Sequence, residues 1–230
     1  MHKWRVGAAL GLAIVVTSIA FPSEAVGRDK AFDLGIGYTH VELDGSASPF
    51  DSRGGIYVEP RFSWGLGGTA HGWRLGIALG ISGFERENDG DDRVIIVDDD
   101  DDEIFVINAD DVESLTLLTP EFQVSYRVPL GPPAGEEGER RWFVEPGVGV
   151  GVVVGQYWVG ESFGWWTDTD VNEWDATFGA RPFLRAGYQS DRWVLGVEGS
   201  YLFGGDLEFT DEIGGDVEEW RVGVFFGGRW

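Results

Sequence analysis

Three sets of side chains have the types and spacing to do chemistry. The first is a block of carboxylates. The segment ERENDGDDRVIIVDDDDDEIFVINADDVE, residues 85–113, holds fourteen Asp and Glu against Arg86 and Arg93. Clustered carboxylate oxygens suit Ca²⁺, which makes Asp98, Asp99, Asp100, Asp101 and Asp102 the metal candidates. The segment lacks the Asp-x-Asp-x-Asp-Gly spacing of a built Ca²⁺ loop, and contiguous aspartates on an extended chain point in alternating directions and repel one another. A solvated tip with weak, salt-screened cation association is expected, carried on a hairpin formed by residues 93–97 and 104–108. The second set is His40 and Glu42. A hydrolase needs a nucleophile within hydrogen-bond reach of its base, and His40-Val41-Glu42 has no serine at the neighbouring position of the same parity. No catalytic residue and no cofactor are expected.

The third set is a series of opposite charges at every second position of otherwise apolar segments: Glu59, Arg61, Glu121, Arg127, Glu145, Arg181, Arg185, Glu198 and Arg221. What they can do depends on the elements that carry them. PGVGVGVVVG, from Pro146 to Gly155, poses that question directly. Between Trp142 and Trp158 one parity carries Trp142, Val144, Val148, Val150, Val152, Val154 and Trp158, and the other is mostly glycine with Glu145. Period two is the pattern of a strand with one apolar face, and alternating glycine and β-branched residues make a poor helix. The same alternation recurs at 32–43, 55–65, 72–84, 114–128, 141–158, 173–189, 192–204 and 218–230, which predicts eight strands.

A soluble sandwich and a membrane barrel both produce this alternation, and aromatic placement separates them. If the strands alternate up and down with both termini in the periplasm, the periplasmic ends carry Phe32, Trp64, Trp73, Tyr126, Trp142, Tyr188, Trp193 and Trp230. All eight fall on the apolar parity, as in the interfacial girdle of a transmembrane barrel. Tyr38, Trp158, Trp174, Phe203 and Trp220 form a thinner ring at the other end. The long connections at 44–54, 85–113, 159–172 and 206–217 then lie outside the cell, and the shorter ones at 66–71, 129–140 and 190–191 inside.

The fold class expected is all-β, an eight-stranded antiparallel up-and-down transmembrane β-barrel. Residues 1–25 read as a secretory signal peptide: His2, Lys3 and Arg5 precede an apolar stretch too short to span a bilayer, and Ser23 and Ala25 occupy small-residue cleavage positions. The mature barrel domain is expected over 26–230. There is no cysteine, so neither a disulfide scaffold nor a lipoprotein anchor is available. A net charge of -23 excludes a phosphate-neutralising nucleic-acid binder and a polybasic membrane-surface binder.

In strand number, girdle and the C-terminal stretch WRVGVFFGGRW, the chain resembles the small eight-stranded outer-membrane barrels of Gram-negative bacteria, the OmpA-like and OmpX-like domains. That stretch looks like the family's assembly signal, with Trp230 where the family usually ends in Phe. The resemblance implies residence in the outer membrane, with membrane lipid and, through the last strand, the β-barrel assembly machinery as partners. An eight-stranded barrel is about filled by its own side chains, so the nine lumenal charges are expected to pair as a network, with the glycines at 147, 149, 151 and 155 making room for arginines. The expected role is structural or at the cell surface, towards a ligand or partner the sequence does not name. A narrow channel and a lipid-modifying barrel enzyme are the alternatives.

Overall fold

The computed structural model describes residues 30–44, 53–66, 71–87, 95–98, 103–106, 111–131, 141–161, 169–209 and 214–230. Residues 1–25, expected to be a signal peptide, and Asp99 to Asp102 within the acidic segment lie outside the described residues.

Ten strands are present among them: β1 (Lys30–Asp44), β2 (Arg53–Gly65), β3 (Gly72–Glu87), β4 (Ile95–Asp98), β5 (Glu103–Val106), β6 (Asp111–Leu130), β7 (Arg141–Glu161), β8 (Thr169–Gln189), β9 (Trp193–Glu208) and β10 (Gly214–Arg229). Eight close into an antiparallel barrel in the order β1-β10-β9-β8-β7-β6-β3-β2. The pair β4–β5 forms a separate hairpin in the connection between β3 and β6. The seam joins first strand to last: Lys30 and Trp230 exchange both backbone N–H···O bonds at 3.0 Å, so no sheet edge is left at that end.

Register fixes the barrel's shape. One path of paired residues runs Glu42, Glu218, Phe203, Ala180, Val150, Phe122, Ile77, Phe62 and Phe32, so one circuit returns to β1 ten residues from its start (42 minus 32). Eight strands with a shear of ten tilt by about 40° and climb roughly 2.4 Å of barrel axis per residue. An apolar band about 25 Å tall therefore takes roughly ten residues of each strand. β7 and β8 have 21 residues apiece and must project well beyond such a band.

The sequence pattern places most strands correctly but ends them too early at the loop end. Residues 206–217, expected as an outer loop, instead contribute the last residues of β9 and the first of β10. Between them the register shifts by one, opposite Gly204 and Gly205. A glycine pair lets the chain kink there, and the extra residue turns Leu207 and Phe209 into the barrel.

Ladder pairing also lapses at four places, each at a proline on the outward face. β2–β3 breaks at Pro60, β6–β7 at Pro120 and again at Pro146, and β8–β9 at Pro182. Proline has no N–H to donate, which removes a ladder bond.

Candidate functional site

The wall has two faces. Outward, Phe32, Leu34, Ile36 and Tyr38 on β1, Phe122 and Tyr126 on β6, and Val222, Val224 and Phe226 on β10 are all exposed. At the end carrying both termini the aromatic residues meet ring to ring: Trp73–Tyr126 at 5.3 Å, Trp142–Tyr188 at 5.4 Å, Tyr188–Trp193 at 5.5 Å, and Phe62 with both Trp64 and Trp230. Trp64 is the covered member, only 5% exposed.

Inward, the lumen is filled in layers. The long middle layer is charged. Its buried ions are Arg61, Arg74, Arg127, Arg181, Arg185 and Arg221 against Asp33, Glu59, Glu121, Glu145, Glu198 and Glu219, six of each sign. The layer is neutral although the chain carries -23, so the acidic excess lies elsewhere.

All of these ions but Arg74, which donates to Ser63 at 3.1 Å, form an alternating chain along the axis. Arg127 pairs with Glu145 at 2.5 Å, and Glu145 with Arg185 at 3.4 Å. Arg185 meets Glu198 at 2.6 Å, which meets Arg61, also at 2.6 Å. Arg61 pairs with Glu59 at 2.5 Å and Glu59 with Arg221 at 3.0 Å. Arg221 meets Glu219 at 2.9 Å, Glu219 meets Arg181 at 3.0 Å, and Arg181 ends on Glu121 at 2.6 Å. Asp33 branches from Arg61 at 2.9 Å. Neutral donors and acceptors fill the gaps: Thr39 and Ser82 both donate to Glu219, at 2.7 and 2.6 Å, and Gln123 accepts from Arg185 at 2.9 Å. Three guanidinium groups also lie over rings, Arg127 on Phe143, Arg185 on Phe183 and Arg221 on Tyr57.

Apolar layers lie at both ends of this chain. Phe143, Val194 and Phe225 close the terminus end. Towards the loop end a larger cluster gathers Val41, Leu43, Phe84, Leu115, Leu117, Val153, Tyr157, Leu202, Leu207, Phe209 and Val217.

All nine charges singled out by alternation lie in the buried layer. Glu219 is not among them, although it lies within the predicted strand 218–230 and on the lumenal parity. Extending the odd parity of Arg221 by one step finds it. The glycines of β7 do not make room for arginines. A side chain at Gly147 would strike Phe183, at Gly149 Glu121, and at Gly155 Phe209 and Leu207. The glycine in front of a guanidinium is Gly80 on β3, which faces Arg221 and Thr119.

Beyond the apolar band on β1, His40 stacks on Trp220, with centroids 5.4 Å apart, and its Nε2 lies 3.7 Å from Glu42. Among the described residues no group of three or more His, Cys, Asp or Glu is placed to hold a metal ion. Asp98 ends β4, and its companions lie outside the described residues.

A closed eight-stranded antiparallel barrel with an apolar exterior and a charged, filled interior is thus on view. No family model matches the chain, and no curated protein does. Among solved structures it is similar to Neisserial surface protein A, with TM-score 0.48 and 11% identity over 87% of this chain and 99% of that one. It is also similar to Ail, the attachment invasion locus protein of Yersinia pestis, with TM-score 0.39 and 13% identity over 89% and 99% of the two chains. A third is the outer membrane protein OprG from Pseudomonas aeruginosa, with TM-score 0.38 and 12% identity over 90% and 98%. The likeness is one of strand arrangement alone.

Proposed function

We propose that the protein is a non-conducting outer-membrane barrel whose working surface is the end opposite its termini, with a structural or surface-interaction role and no catalysis. The observation that carries this reading is the filled lumen. A water path would have to cross a continuous chain of ion pairs and then an apolar cluster of eleven side chains. The apolar exterior with its aromatic ring supports residence in a bilayer. The basic, apolar and small-residue pattern of residues 1–25 supports export by a cleaved signal. The closing strand β10 would be the element that the assembly machinery engages.

Planar-bilayer recording of the purified barrel tests the reading. No steady single-channel current is expected, and reproducible unitary steps would replace it with the narrow channel. Protease treatment of intact cells should cut within 85–113 and spare the turn at 190–191; the reverse result would invert the orientation. Mass spectrometry of lipids from cells with and without the protein should give identical acyl profiles.

A further inference from the structure

The outward apolar surface is not equally tall all round the barrel. Measured from the aromatic ring at the terminus end, it ends on β1 at Tyr38, six residues after Phe32, and His40 and Glu42 follow. On β9 it runs ten residues, Trp193 to Phe203, and on β10 again ten, Trp230 to Trp220. On β8 it runs fourteen, Tyr188 to Trp174, through Phe178 and Ala176. On β7 it runs from Trp142 to Trp158, sixteen residues, broken only by Gln156. At roughly 2.4 Å per residue an apolar band 25 Å tall is crossed in about ten residues. Trp158 and Trp174, six and four residues past that level, therefore stand roughly 10 Å or more beyond it, with Ala176 just above its edge, on a wall that otherwise faces water.

This patch is one surface. Trp174 is paired with Gln156, and Trp158 with Asn172, so the two indoles sit diagonally on adjacent strands, within reach of a common occupant. Trp174, 38% exposed, and the exposed Ala176 lie on the same face, directly above Phe178 at the edge of the band. On a water-facing wall, large exposed apolar groups of this kind mark an interaction site.

The flank of the patch states the chemistry of the partner. On β9, just beyond the bulge, Asp206 and Glu208 are exposed beside it. Asp206 is paired with Asp216 on β10, and Asp216 in turn with Asp44 on β1; one rung lower Glu218 is paired with Glu42. Like charges directly opposite one another destabilise a sheet, and here they recur on successive rungs. The buried ions are balanced, so this field is not answered from inside the barrel.

We infer that the loop-end wall formed by β7 and β8, with the carboxylates of β9 and β10 beside it, is the docking surface for a basic polypeptide segment bearing apolar side chains. Apolar groups of the partner cover Trp158 and Trp174 while its cations meet Asp206, Glu208 and Asp216. The inference rests on the membrane reading above, since the band supplies the level from which the patch protrudes.

The test uses the whole mature barrel in nanodiscs of zwitterionic lipid. The probes are short dansyl-labelled peptides alternating Arg with Leu, Arg with Ser, or Glu with Leu, and empty nanodiscs give the lipid background. The Arg-Leu peptide should bind most tightly and the Glu-Leu peptide not at all. Binding should weaken with added salt, and Trp158→Ser with Trp174→Ser should weaken it roughly tenfold or more. Equal affinity for the Arg-Leu and Arg-Ser peptides, or an unchanged affinity in the double variant, overturns the docking surface.

Because the chain has no cysteine, nitroxide labels at Trp174→Cys and Phe226→Cys separate the two readings. Phe226 should report oxygen-rich lipid and Trp174 a water-soluble nickel relaxer. Lipid at both overturns the docking surface and leaves the membrane reading standing. Water at both removes the membrane reading itself.

Discussion

The two halves of the wall obey opposite rules. Across the apolar band, one parity of β1 sends Phe32, Leu34 and Ile36 outward and Asp33 inward; a few residues later the same alternation sends Glu42 outward and Val41 and Leu43 inward. β10 does the same, with Val222 and Val224 outside Arg221, then Glu218 outside Val217 and Glu219. These strands are amphipathic in both halves, and the polarity of their faces is exchanged between them. On the proposed placement in a bilayer, the polar groups turn inward and pair with each other where the surroundings are lipid. Where they are water, the apolar groups turn inward and pack as a soluble core. β7 and β8 are the exception, apolar outside even beyond the band.

The largest effect should come from breaking the charged layer. Arg181 touches Glu121 and Glu219 at 2.6 and 3.0 Å and Glu59 at 3.5 Å. Arg181→Ala leaves these carboxylates buried without their cation, and breaking a buried pair costs about 3–5 kcal/mol. Reversible urea unfolding in liposomes measures it. A loss below about 1 kcal/mol would mean that water reaches the site and solvates the carboxylates, as at exposed pairs. Neutralising a partner as well, with Glu121→Gln, should recover part of the loss.

The apolar layer should respond through volume. Leu117 is fully buried in the loop-end cluster, and Leu117→Ala should cost about 2–4 kcal/mol through lost transfer energy and a cavity. The same urea experiment at raised salt distinguishes the layers further, since neither buried effect should change much with ionic strength.

How far each half was legible follows from the exchange of faces. Across the band the contrast between parities is strong, with Glu59, Arg61, Glu145 and Arg181 alternating with Val, Pro and aromatic residues, so strands and lumenal charges could both be read from period two. At the exchange, both parities turn apolar for a few residues, as in Leu115, Leu117 and Leu118 or Val152, Val153 and Val154. Period two weakens there, and the predicted strands stop just beyond it at 114 and 158, three residues short of Asp111, where β6 begins, and of Glu161, where β7 ends. Glu219 lies within the predicted strand 218–230 on the parity of Arg221, and is legible by the same rule. The bulge at Gly204 and Gly205 hid Leu207 and Phe209 by shifting parity within one strand. The neighbours of each β7 glycine depend on cross-strand register, which alternation within one strand does not contain.

Gly80 marks the border between the layers. A methyl group there would strike the guanidinium of Arg221 and the hydroxyl of Thr119. Arg221 is held by Glu59, Glu219 and Ser82, so it cannot withdraw without breaking the ion chain. Gly80→Ala should therefore cost about 1–3 kcal/mol as overpacking. Gly83→Ala on the same strand, where a side chain meets nothing, is the matched control and should be near neutral.

The smallest effect belongs to the water-facing carboxylates, and it should have the opposite sign. Asp216 stands between Asp206 and Asp44 on neighbouring strands. Removing this charge relieves the like-charge opposition to the exposed Asp206, so Asp216→Asn should stabilise the barrel by up to about 1 kcal/mol at low ionic strength. The gain should shrink as salt screens exposed charges within a Debye length of about 8 Å near physiological strength. Arg181→Ala in the same salt series should keep its full cost, because its partners are shielded from ions by the wall. If the Asp216 gain persisted at molar salt, or the Arg181 loss faded with it, the exterior and interior charges would not differ in solvation, and the division of the wall into a lipid-facing and a water-facing half would lose its electrostatic basis.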